Sequence, residues 1–147
     1  MEVIGALQTL GGLISNAKTV FEYLNDVKEA SEERAKLLLE TQATMSILWR
    51  LEIHARKDEW KGTLDALSAP GGPFEQLGQE LFRMQKKLNR PADKWTQHAR
   101  SLLWYFSKQE INAHFVRIER LKSLFGLALD NNLAFAPRHD LLISGHL

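Results

Sequence analysis

The stretch EVIGALQTLGGLISNAKTVFEYL, residues 2–24, decides how this chain is read, because its apolar residues repeat with a helical period. Val3, Leu7, Leu10, Ile14, Ala17, Phe21 and Leu24 fall at alternating steps of four and three, the spacing of a bundle seam. A second stripe at Ala6, Leu13, Val20 and Val27 widens the apolar face beyond what one neighbour needs. The spacing predicts a first helix from about residue 2 to 26, buried on more than one side.

The same period continues downstream. Ser31 suits the N-cap of a second helix whose first turn holds Glu32 and Glu33 near the positive end of the dipole and which runs on through Leu38, Met45, Leu48 and Leu51. A shorter piece follows around DEWKGTLDAL, and APGGP ends it. Pro73 fits the first turn of the next helix, which places Phe74, Leu77, Leu81, Met84 and Leu88 on one face. NRPAD punctuates the chain before KWTQHARSLLWYF. Ser107 and Glu110 then form a capping box for a helix whose face reads Ile111, Phe115, Ile118, Leu121 or Lys122, Phe125 and Leu129. That helix is expected to fray near DNNLAFAP, ahead of Pro137. No segment alternates apolar and polar residues as a half-buried strand does. The fold class is all-α, a helical bundle of four to five main helices, with residues 1–133 as the domain and 134–147 as a tail or linker.

Composition narrows the chemistry. A chain of 147 residues with 44% hydrophobic and 25% charged residues has the make-up of an ordinary globular domain. Cysteine is absent, which removes disulfides, thiolate metal sites and a cysteine nucleophile, and makes an intracellular location the default. The first charge is the acidic Glu2, so a basic-headed secretory signal is not expected. The five histidines, His54, His98, His114, His139 and His146, are scattered without an H-E-x-x-H pair, and no metal or cofactor is expected. No phosphate loop or nucleophile elbow is present, and the glycines of GGLIS lack the preceding strand that a phosphate site requires. An enzyme is not expected.

Charge is unevenly spread. Residues 83–122 carry ten Lys or Arg against Asp93, Glu110 and Glu119, a local +7 in a chain whose total is +1. Such a segment pairs with acidic helices of the same bundle, or it faces an anionic surface. Arg83, Lys86, Lys87, Arg90 and Lys94 are the candidate contacts to anionic lipid. Without a recognition helix or an aromatic platform, nucleic acid is not an expected partner. The tryptophans Trp49, Trp60 and Trp95 fit core anchors, as does the run Trp104-Tyr105-Phe106, with an interfacial role for Trp104 and Tyr105 as the alternative.

Residues 3–17 contain no charge, yet as a helix they span only about 22 Å against a hydrocarbon core of about 30 Å. Extension to Leu24 brings in Lys18 and Glu22, so insertion into lipid would be conditional and oligomeric. Gly11 and Gly12 together cost a helix about 2 kcal/mol relative to alanine, a cost explained by close helix packing either in a bilayer or within the bundle.

Three stretches together carry a family resemblance: the apolar start leading into FEYLNDVKEASEERAKLL, then GGPFEQLGQELFRMQKKL, then LLWYFSKQEINAHFVRIERLKSLFGLALDNN. Over residues 1 to about 133 the chain resembles the HeLo-like domain at the N-terminus of fungal STAND/NACHT receptors and related cell-death effectors. The resemblance implies a cell-death bundle of fungal innate immunity or heterokaryon incompatibility, cytoplasmic at rest. Activation by an NLR-like or amyloid-signalling partner, or by an attached domain, would drive self-association and release of the first helix toward the plasma membrane. By position, Val3, Ile4, Leu7, Leu10, Leu13 and Ile14 would seek lipid, and Gly11 and Gly12 would let the helix repack. These 147 residues contain neither a nucleotide-binding domain nor a recognisable amyloid motif. The competing expectation is a non-lytic interaction module whose first helix stays in the core.

Overall fold

A computed structural model of the chain describes residues 3–26, 31–88 and 107–144, with side chains described for 5–26, 31–87 and 107–132. Among the described residues five α-helices follow in order: α1 Val3–Asp26, α2 Glu32–His54, α3 Lys61–Leu67, α4 Pro73–Leu88 and α5 Lys108–Ser144. A single 3₁₀ turn, Asp58–Trp60, leads into α3. Among the described residues there is no strand, and the molecule is an all-α helical bundle.

The local signals act as their chemistry requires. The Ser31 hydroxyl accepts from the Arg34 backbone N–H at 3.1 Å, capping α2. At α5 the capping box is reciprocal: the Glu110 N–H donates to the Ser107 hydroxyl at 3.1 Å, and the Ser107 N–H donates to the Glu110 carboxylate at 2.8 Å. Between α3 and α4 the chain reverses at Gly71, whose φ of 74° suits glycine alone among common residues.

Four long helices form a ring. Leu13 of α1 lies 3.6 Å from the position a Gly78 side chain would take, and Gln85 reaches the Asn16 carbonyl at 3.5 Å, so α1 and α4 run parallel. Lys108 lies 3.6 Å from Glu33 and Gly126 faces Ile47, so α2 and α5 are parallel too. The Arg34 guanidinium donates to the Leu24 carbonyl at 2.6 Å, while Leu7 lines a groove with Glu52 and Ile53, which sets α1 antiparallel to α2. Lys87 pairs with Glu110, and the Phe74 and Phe125 rings lie 5.6 Å apart, which sets α4 antiparallel to α5. α1 therefore packs on α2 and α4, with α5 across the ring.

The core is one cluster running through all five helices, from Leu10 and Leu24 through Leu48 and Leu51 to Leu77, Leu81, Phe125 and Leu129. Each fully buried leucine contributes about 1.5–3 kcal/mol relative to an exposed one. In α1 the buried residues are Ala6, Leu10, Leu13, Ala17, Val20 and Leu24, whereas Leu7, Ile14 and Phe21 are half-buried. The core line thus falls between the two predicted stripes, because α1 wedges between two helices rather than facing one.

Three expectations are corrected. Trp49 is not a core anchor: it is 46% exposed, one position from the buried Leu48, on the outer face of α2. Trp60 does fill the core and stacks on His54 with ring centroids 4.6 Å apart. α5 does not end before Pro137 but continues to Ser144, with the proline inside the helix. Packing within the bundle does not account for Gly11 and Gly12, because a Cβ at either position would meet no atom within 4 Å. The segment holding Trp95, Trp104, Tyr105 and Phe106 lies outside the described residues, as does His98.

Candidate functional site

The candidate lipid-seeking residues divide by burial. Leu10 and Leu13 are buried, Leu7 and Ile14 are half-buried against the core, and Gly11 and Gly12 border open space. Val3 and Ile4 belong to the first turn of α1, and their side chains lie outside the described residues. As far as Ala17 the helix has two contrasting sides, an apolar line locked into the bundle and an outer surface of Gln8, Gly11, Gly12, Ser15 and Asn16 without a formal charge, which Lys18 and Glu22 then continue with charge. Among the described residues, no helix is both long and apolar enough to cross a membrane.

The candidate cations are less available than their sequence run implies. Arg83 is exposed but held 2.8 Å from Glu80, and Lys87 is paired with Glu110. Lys86 is exposed on α4, while Arg90 and Lys94 lie outside the described residues. Further along the basic segment, Lys108 and Lys122 turn to Glu33 and Glu40 of α2, the latter at 2.6 Å. Much of the local positive charge is thus matched by acidic side chains of neighbouring helices. Arg117 adds a cation beside Glu80 at 3.4 Å, and Arg120 stands exposed one turn before Leu124.

Glu80 is the polar centre of the α4–α5 seam, with its side chain 1% exposed. One carboxylate oxygen accepts from His114 Nδ1 and faces Arg117, and the other accepts from Arg83. Burial pushes the Glu80 carboxyl up, but the His114 hydrogen bond and the charges of His114, Arg117 and Arg83 outweigh it and hold the group below the usual carboxylate range. At the end of the seam, hydrogen bonds from Lys87 and from the Ser107 backbone lower Glu110 to about 2. His54 is lowered too, which for a base favours the neutral form: burial, then the Lys57 and Arg50 charges, lower it. The sequence reading passed over the Glu80–His114 pair, although both residues sit at core positions, Glu80 between Leu77 and Leu81 and His114 between Ile111 and Ile118.

This cluster has the marks of a structural clasp. Its one buried carboxylate is matched by three cationic or donor side chains. Among the described residues no three His, Asp or Glu side chains converge as a metal site would need.

Two surface depressions flank α1. One, of about 820 Å3, runs between α1 and α4 over Gly12, Leu13, Phe74 and Gly78, with Phe82 on its rim. The other, of about 670 Å3, lies where Leu7 and Gln8 meet Glu52, Ile53 and Arg56 of α2. Comparison of the chain with protein-family models, curated proteins and solved structures finds no match. What the fold defines is therefore an all-α bundle built around a clamped first helix.

Proposed function

We propose that this chain is a membrane-targeting module of the cell-death type, which stores α1 in a resting bundle and exposes it to lipid on self-association. The observation that carries this reading is the pair Gly11 and Gly12: they weaken the helix by about 1 kcal/mol each and serve no packing inside the bundle. Two glycines in a charge-free stretch suit a helix that must leave one set of neighbours and approach others closely. The HeLo-like resemblance of the sequence agrees with this reading, as do the exposed cations Lys86 and Arg120 for an anionic bilayer. The partners it implies are further copies of the chain, anionic lipid and an activating NLR-like or amyloid-signalling element.

The alternative is a non-lytic interaction module, and the observation in its favour is the depth of α1: six of its side chains lie in the core. Dye release from vesicles separates the two. Protein held as an induced oligomer is expected to release dye from vesicles containing phosphatidylserine and much less from phosphatidylcholine alone. Gly12→Glu, placed where a side chain meets open space, should fold normally and lose release. Intact vesicles under every lipid composition, with oligomerisation verified, would overturn the membrane reading in favour of the interaction module.

A further inference from the structure

The outer face of α4 carries a pattern that the bundle itself does not use. Glu75, Gln79, Phe82 and Lys86 are all exposed and follow one another at steps of four, three and four, the spacing of a helix seam. They lie opposite the core line of Phe74, Leu77, Leu81 and Met84. Phe82 is 63% exposed, and neither Glu75 nor Lys86 has an ion-pair partner among the described residues. A charged residue of each sign closes the two ends of the stripe, about 16 Å apart along the helix axis. The stripe is thus acidic at its start and basic at its end.

Such a stripe complements itself in one orientation only. In a parallel pairing like charges meet; in an antiparallel pairing Glu75 meets Lys86 at both ends and Phe82 meets Gln79 twice. This is the isologous geometry of a two-fold dimer, in which each contact recurs. We propose that the exposed face of α4 is a homodimer interface, formed by two folded copies pairing antiparallel through Glu75, Gln79, Phe82 and Lys86. Beside the stripe, the groove over Gly12 and Gly78 gives each Phe82 ring of the mate a recess to enter. The dimer leaves α1 in its own bundle and goes beyond the membrane reading, on which it does not rest.

The test is sedimentation of the full chain in lipid-free buffer over low to high micromolar concentration. The wild-type chain is expected to move reversibly from monomer to dimer. Glu75→Lys and Lys86→Glu should each weaken the dimer about tenfold, since each reversal places two like-charged pairs in the interface. The double swap should restore wild-type affinity. Phe82→Ser should leave a monomer whose thermal melt matches wild type. A wild-type monomer across the range, a double swap as weak as either single change, or a Phe82→Ser protein that still dimerises would overturn the proposal. Because no lipid is present, none of these outcomes bears on vesicle leakage.

Discussion

Glu80 of α4 and His114 of α5 meet in the interior of the bundle, the carboxylate accepting from the imidazole Nδ1 with almost no contact with water. Removing His114 takes away one of three partners and leaves Glu80 with Arg83 and Arg117. His114→Ala is therefore expected to cost about 2 kcal/mol, within the range for losing one hydrogen bond to a buried charged group. Replacing both residues by leucine should cost less than the sum of the single changes. Urea denaturation of the four proteins gives the coupling energy, and strict additivity would show that the pair is not a unit.

Two carboxyls of this seam tie stability to acid pH. Glu110 falls from 4.5 to about 2 in the native state through Lys87 and Ser107, and Glu80 also lies below 4.5. A lowered carboxyl contributes stability that is complete above its unfolded value and lost as pH falls toward its folded value. Thermal stability should therefore hold above pH 4.5 and decline from there to about 2. Carboxyl NMR should find the Glu110 midpoint near 2, and a midpoint at 4.5 would show that the Lys87 contact is absent in solution.

Alanine at the paired glycines of α1 should strengthen the resting fold. A Cβ at Gly11 or Gly12 meets nothing within 4 Å, and neither residue has positive φ. Each substitution removes backbone freedom from the unfolded chain and is expected to add about 1 kcal/mol. A denaturation midpoint that rises while vesicle leakage slows is the joint outcome expected of a helix poised for release.

Two large side chains predict opposite responses. Leu10 is fully buried, and Leu10→Ala should cost about 2–5 kcal/mol in transfer and cavity energy. Trp49 is half-exposed, and Trp49→Ser should change stability by about 1 kcal/mol or less. Chemical denaturation of the two variants compares the burial of Leu10 with the exposure of Trp49 directly.

The bundle was legible because its signals are local. Ser31 and the Ser107–Glu110 box specify helix starts through hydrogen bonds only a few residues long, and Pro73 does so through its fixed φ. Which face turns inward was harder to read. Two overlapping stripes on α1 are compatible with either seam, and the choice depends on where α2 and α4 lie in space. Trp49 misled for a related reason: its size favours burial, but the period through Leu48 and Leu51 turns it outward. The Glu80–His114 clasp was written in the same helical period, yet a pattern search that counts only apolar residues passes over polar ones in core register. Lys87 and Glu110, 23 residues apart, meet only because α4 and α5 are antiparallel.

The ring order has a mechanical corollary. The amino-terminal helix packs chiefly on α2 and α4, with a smaller contact to α3, while α5 bridges α2 and α4 from the far side. Peeling the leading rod away would open a furrow yet leave α2, α5 and α4 joined as a three-member remnant. Among the described residues its six interior side chains share one line between two walls, so full release of the rod uncovers all six together.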